Sequence, residues 1–314
     1  MKRKFFIIPI IFSFFWLLLF FPFKEIIATT ESTFPILSGS DDAHEKGDGT
    51  FETTKQHVYV SSATNPSFVY HGGFRFQNVN LPSGAELKEA YFHGYTTGVP
   101  SDLDVKIYGN DVGWSLDFVD NPHISDQTAR PRTSNFVVWQ YTNQGIGWKV
   151  SPDIKPIVEE IMNRSDWSNN NPITLLLIAS DTTNRFSHFR AFEAGSGRAY
   201  LRLVWNAPPT ILSVSASPDP NADENRTINF TSDAGDPEPG DQITLYICQD
   251  STCSNCGPGT DNSGCYTVGL PASSDPSASY TCSSCTLNTY NYWAKVCDQD
   301  GACSEICSNP SDCS

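Results

Sequence analysis

Tyr200-Leu201-Arg202-Leu203-Val204-Trp205-Asn206-Ala207-Pro208-Pro209-Thr210 decides how this chain of 314 residues is organised. Side chains alternate from Tyr200 to Leu203, the period of a strand with one wet face, and two prolines then interrupt the chain before a second apolar run begins at Ile211. Cysteine usage changes across the same point, because all ten cysteines fall between Cys248 and Cys313. The stretch therefore reads as a domain boundary, separating residues 29–206 from residues 207–314.

Upstream, Phe74-Arg75-Phe76-Gln77 and Leu103-Asp104-Val105-Lys106-Ile107-Tyr108 repeat the period of two, and Ile173 to Ala179 is nearly continuous in apolar residues, as a central strand requires. One helix interrupts the strands. Asp153 is placed to cap it, Pro156 falls in its first turn, and Ile154, Ile157, Val158 and Ile161 form its apolar stripe, which leaves Glu159 and Glu160 toward solvent. Downstream, short runs at Ile211–Ala216, Thr227–Ser232, Gln242–Cys248 and Tyr290–Cys297 are separated by Pro, Gly, Asp and Ser turns. Ile243, Leu245 and Ile247 are expected to face a core with Tyr292, Ala294 and Val296 on a partner strand. The chain is thus expected to be all-β: a jelly-roll β-sandwich with one short helix, followed by a disulfide-rich immunoglobulin-like β-sandwich.

The first 28 residues have a different character. Met1-Lys2-Arg3-Lys4 precedes an uncharged run from Phe5 to Phe23, an export signal that either leaves after Ala28 as a signal peptide or stays as an N-terminal anchor. The remaining chain is then extracellular or on the cell surface, touching membrane only through that segment. There, Cys248, Cys253, Cys256, Cys265, Cys282, Cys285, Cys297, Cys303, Cys307 and Cys313 are expected to form five disulfides. Cys297 and Cys303 flank one turn and are placed to pair across a hairpin. Zinc is the rival reading of Cys253-x-x-Cys256 and Cys282-x-x-Cys285. Their 25-residue gap exceeds the ribbon spacing of about 15–20, and six cysteines would be left over.

Charge narrows the partners. The sequence carries 35 acidic and 20 basic side chains, and residues 207–314 offer only Arg226 and Lys295 as cations, which argues against nucleic acid. Two acidic clusters have the donor type of calcium sites, Asp41, Asp42 and Glu45 in the first unit and Asp233, Asp236, Glu238 and Asp241 in the second. Carboxylates crowded on one turn repel unless a cation neutralises them. Trp114, Trp139, Trp148 and Trp167 can stack on sugar rings if two of them share an exposed face; Trp139 and Trp167 sit where they plug a core, while Trp114, in the polar loop Gly109-Asn110-Asp111-Val112-Gly113-Trp114-Ser115, is the better ligand candidate. His44, His57, His71, His93, His123 and His188 are scattered without metal-ligand spacing, and no nucleophile elbow, zinc-protease motif or phosphate loop occurs.

The run from Gly72 to Thr97, GGFRFQNVNLPSGAELKEAYFHGYTT, with SGSDDAHEKGDGTF before it and SPDIKPIVEEIMNRSDW after it, resembles a jelly-roll module of exported proteins, akin to DNRLRE-type and carbohydrate-binding-like domains. The turn Asp233 to Gln242 and the stretch YNYWAKVCDQDGACSE are similar to the acidic turn and last hairpin of cadherin-like and fibronectin-type-III-like repeats of surface proteins. Such modules serve as sugar-binding units, adhesin parts and spacers. The resulting expectation is a non-catalytic exported or cell-surface protein for attachment, with polysaccharide as its ligand and calcium as its cofactor. An extracellular carbohydrate-active enzyme and a ligand-free structural spacer are the alternatives.

Overall fold

The computed structural model describes residues 30–98, 101–179, 183–217, 227–238, 240–281 and 291–308. The export segment, Cys282, Cys285 and Cys313 lie outside these residues. Among the described residues no helix is long and apolar enough to cross a membrane.

The fold is two antiparallel β-sandwiches in series. The first contains β1 (Thr30–Pro35), β2 (Asp42–Lys46), β3 (Phe51–Glu52), β4 (His57–Ser62), β5 (Tyr70–Phe76) and β6 (Glu86–Thr96). It continues with β7 (Ser101–Asn110), β8 (Arg132–Gln144), β9 (Gly147–Val150), α1 (Lys155–Met162), β10 (Ile173–Ala179), β11 (Arg185–Arg190) and β12 (Tyr200–Asn206). The strands run β1-β12-β6-β11-β4-β5-β10-β7-β8 in one folded sheet, with β9 on β6 and β2 on β5. Folding brings Phe92 of β6 against Phe74 of β5, ring centroids 4.8 Å apart, so the two walls enclose one apolar core.

The unbroken apolar run of β10 has a physical reason. Ile173, Leu175 and Leu177 enter the main core, whereas Leu176 points to the opposite face and packs with Ala43, Phe118 and Ile124 beneath the loop 111–131. That loop is wrapped around a fully buried Arg130, which donates to the carbonyls of Leu116, Asp117, Asn121 and His123 and lies 4.5 Å over the Phe118 ring. Gly73 makes the covering possible, since a Cβ there would meet the Phe118 ring at 2.3 Å.

The helix runs Lys155–Met162 with Pro156 in its first turn, and Ile157, Val158 and Ile161 are buried. Asp153 sits one residue outside the cap position taken by Ile154, yet its carboxylate still accepts from the Lys155 amide at 2.9 Å and from the Ala90 amide at 3.0 Å. Glu160 is not simply solvated: it accepts from the backbone amides of Ser134 and Asn135 at the start of β8.

The second sandwich stacks β13 (Thr210–Ser217), β14 (Thr227–Gly235) and β17 (Ser277–Thr281) on β15 (Ile243–Cys248), β16 (Cys265–Val268), β18 (Trp293–Asp298) and β19 (Cys307–Ser308). Ile243, Leu245 and Ile247 do face Tyr292, Ala294 and Val296 in one core. Disulfides Cys248–Cys253 and Cys256–Cys265 fasten the loop after β15, and Cys297–Cys303 closes the hairpin after β18. Cys307 is disulfide-bonded as well, so none of the seven described cysteines is free. Cys253 and Cys256 belong to two different bridges, which removes their zinc reading. The oxidised state is that of an oxidising compartment.

Candidate cation site between the sandwiches

Only Ala207, Pro208 and Pro209 separate β12 from β13, and the turn between β14 and β15 folds back against them. Glu238 in that turn accepts from the Ala207 amide through Oε1 at 2.7 Å. One residue earlier, the Asn206 side-chain amide donates to Asp298 Oδ2 at 3.0 Å. The last residue of β12 and the linker are thus bonded to two acidic segments of the second sandwich.

Each carboxylate of the turn spends one oxygen on holding the fold. Asp236 Oδ1 accepts from the Glu238 amide at 2.8 Å, Glu238 Oε1 takes Ala207, and Asp241 Oδ1 accepts from Gln299 Nε2 at 3.3 Å. Their second oxygens, Asp236 Oδ2, Glu238 Oε2 and Asp241 Oδ2, are buried with no hydrogen-bond partner, as is Asn206 Oδ1 nearby. Glu238 is 2% exposed and Asp241 1%, and ligand oxygens of Asp236, Glu238 and Asp241 all lie within 4.8 Å of one another. Asp298 adds charge, its Oδ1 accepting from the Asp300 and Ala302 amides.

Burial without a counter-ion is costly for a carboxylate. Burial, followed by the close approach of the Asp236 carboxyl and the charge of Asp241, pushes the Glu238 carboxyl up to about 8. Burial together with the charges of Asp236, Asp300 and Asp298 pushes Asp241 up to about 6. Among the described residues no lysine or arginine forms an ion pair with these groups. An oxygen-only donor set with this deficit of positive charge suits a hard divalent cation.

The other expected ligands do not join it. Asp233 lies on an exposed position of β14, because its neighbours Ser232 and Ala234 take the inward places of the alternation. The first acidic cluster is not brought together at all. Asp41 is bound by Arg75 Nη1 at 2.7 Å, by Gln77 Nε2 at 2.6 Å and by the Ser38 amide. Asp42 accepts from the Phe192 amide, and Glu45 takes the Ile124 and Ser125 amides and the Ser125 hydroxyl. These three carboxylates anchor three separate loops, so the expected calcium site there is replaced by protein donors. Burial still pushes Asp42 up to about 8.

Trp114 is exposed, at 59%, but no second aromatic ring contacts it among the described residues. Trp139 is in the core and Trp167 packs on its edge. Trp148 instead gathers an aromatic group on the outer face of β6, β9 and β12, whose other members the sequence reading did not single out. There Trp148 meets Tyr95 and Tyr200 edge-on at 5.4 and 5.2 Å, and His93 stacks on Tyr200 at 4.4 Å. The alternation Tyr91, His93, Tyr95 was its signal. Two histidines also converge: His57 and His188 both reach the Thr97 hydroxyl, at 3.1 and 2.7 Å. No third metal ligand accompanies them among the described residues.

No family model matches the chain, and no curated protein matches it. Solved structures similar to it include the β-D-glucuronidase of Dictyoglomus thermophilum, at 6% identity and a TM-score of 0.28, over 90% of this chain and 44% of that one. A β-glucuronidase of an uncultured Clostridium sp. gives 8% identity and 0.26, over 91% and 45%, and a β-glycosidase of Bacteroides vulgatus 10% and 0.24, over 90% and 34%. The chain therefore spans less than half the length of these proteins, and likeness at such scores carries no argument about fold or activity.

Proposed function

We propose that the chain is an exported, non-catalytic binding protein of the cell surface or extracellular medium, in which calcium held between the two sandwiches fixes the ligand-bearing first sandwich on the second. The observation that carries this reading is the set of buried, unpartnered oxygens on Asp236, Glu238, Asp241 and Asn206 beside the linker. Calcium supplies the missing positive charge. It takes six to eight oxygens, so carboxylates, an amide oxygen and water suit it, and extracellular modules bind it at about 10⁻⁴–10⁻³ M. The disulfides of the second sandwich and the charged-then-apolar start of the sequence support export.

Polysaccharide is the proposed ligand class, supported by the exposed aromatic strip around Trp148. Calorimetric titration of the secreted chain with calcium, alongside a glycan array run with calcium and with chelator, tests the reading. It expects one calcium site and glycan binding without hydrolysis. An absent calcium response, or turnover of a polysaccharide that stops on replacing one Asp or Glu of the first sandwich, overturns it.

A further inference from the structure

The outer face of β5, β7, β8 and β10 carries a groove of about 770 Å³ that has no part in the cation site. Strand register builds it. Asp104, Lys106 and Tyr108 follow one another at alternate positions of β7, and across the ladder they pair with Gln140, Val138 and Phe136 of β8. His71 and Arg132 also line it, Arg132 at the base of the covering loop and His71 on β5. Tyr108 and Phe136 place their rings 5.3 Å apart, and Lys106 Nζ lies 4.7 Å over the exposed Phe136 ring. The groove thus offers one lining aromatic ring, Tyr108, with Arg132 5.2 Å over it, together with hydrogen-bonding groups and the second cation, Lys106.

The chain as a whole is at −15, and about half of the described cations are matched with acids, as in Arg164 with Asp111 and Asp166 or Arg202 with Glu31. Lys106 and Arg132 form no ion pair among the described residues, and Arg132 Nε is buried with no hydrogen-bond partner. The carboxylates in reach are already engaged: Asp104 accepts from Gln140 Nε2 and Thr183 Oγ1 at 2.6 Å each, and Glu45 is saturated by Ile124 and Ser125. Asp104 is also the one carboxylate among the lining residues, so the groove lacks the acid pair that glycosidic cleavage uses.

We infer that this groove binds a polysaccharide bearing carboxylate or sulfate groups, with Lys106 and Arg132 taking the anion from their seats on the Phe136 and Tyr108 rings. The inference rests on the proposed polysaccharide reading and adds a second surface to it, apart from the Trp148 strip and with its own chemistry. Neutral chains would leave both cations without an ion pair, whereas an anionic chain meets them with charge-assisted hydrogen bonds.

Binding of the full secreted chain to hyaluronan (carboxylate only), dextran sulfate (sulfate only) and dextran (neutral) in affinity electrophoresis tests it, and the first two arms separate the sources of the anion. The expected result is binding to at least one anionic polymer and none to dextran. Lys106→Gln, an exposed position whose melting temperature should match the parent, is expected to weaken that binding about 10- to 100-fold, the loss of one charge-assisted hydrogen bond. Arg132→Gln should act in the same direction. If an anionic polymer binds and Lys106→Gln leaves it unchanged, the groove is the wrong site. If dextran binds as well as the charged polymers, the anionic class is wrong while the polysaccharide reading stands. If none of the three binds while calcium still raises the melting temperature, groove and ligand class both fall and the cation site remains.

Discussion

Replacing Asp241 by Asn separates a starved cation site from a merely polar turn, because the two predict opposite signs. Asn keeps the shape of the side chain and can still accept from Gln299. In chelator the parent must hold the Asp241 charge in a buried place where its carboxyl is pushed from 3.8 up to about 6. A rise of about two units corresponds to roughly 3 kcal/mol of penalty on the ionised form at neutral pH. Removing that charge should therefore stabilise the chelated protein, by an amount on the order of 1–3 kcal/mol once local relaxation is allowed for. With calcium the sign reverses. At 10 mM calcium, a site with Kd of about 10⁻⁴–10⁻³ M stabilises the parent by roughly 1.4–2.7 kcal/mol. That is about 3 °C or more in melting temperature for a unit of 150–250 residues, and more if the smaller second sandwich melts alone. Asp241→Asn should lose most of this increment. Differential scanning calorimetry of both proteins, each in chelator and in calcium, reads all four values. If Asp241→Asn melts below the parent in chelator, and calcium moves neither, the buried oxygens are satisfied by something other than a cation.

The same groups set a pH dependence. Glu238 and Asp241 both have folded values raised above their ordinary ones, to about 8 and about 6, so their contribution is fully present near pH 4 and is lost as pH rises toward 8. The chelated protein should lose stability across that window, and the calcium-induced rise in melting temperature should grow over it. A calcium effect that is flat from pH 5 to 8 refutes this assignment. Asp41→Ala leaves the buried Arg75 without its carboxylate, and should cost about 3–5 kcal/mol while leaving the calcium response intact. Thermal melts in both buffers show it, and loss of the calcium response would place the ion at the first cluster instead. Removing the Cys297–Cys303 bridge by double Ala substitution opens a short loop and should cost about 2 kcal/mol by the chain-entropy estimate. Intact-mass labelling without reductant should find no free thiol, and more than two would contradict the disulfide framework.

Much of the architecture was legible because period two and cysteine placement are local signals. The runs at Leu103–Tyr108, Ile173–Ala179 and Ile243–Cys248 all became strands, and the prolines after Ala207 do lie between β12 and β13. Burial of the first acidic cluster was not legible, since what occupies Asp41 is an arginine 34 residues away that is placed by the pairing of β2 with β5. Crowded carboxylates look alike in sequence whether an arginine, a backbone amide or an ion answers them.

What distinguishes the second cluster is the supply of donors, and that supply is partly readable. Near Asp41 the chain places Arg75 and Gln77, and near Glu45 the amides of a folded loop. The unit containing Asp236, Glu238 and Asp241 holds only Arg226 and Lys295 as cations. Lys295 pairs in register with Tyr246, three residues before Asp298 on β18, and its ammonium lies toward Gly257. Prolines 237 and 239 remove two amide donors from the turn itself. Asp233, expected in this cluster, is turned outward by the alternation along β14, where Ile228, Phe230, Ser232 and Ala234 take the inward face. A turn short of amide donors, in a unit short of cations, buried against a linker, leaves its second carboxylate oxygens without a hydrogen-bond partner, and the proposed cation site rests on this deficit rather than on the number of acidic residues.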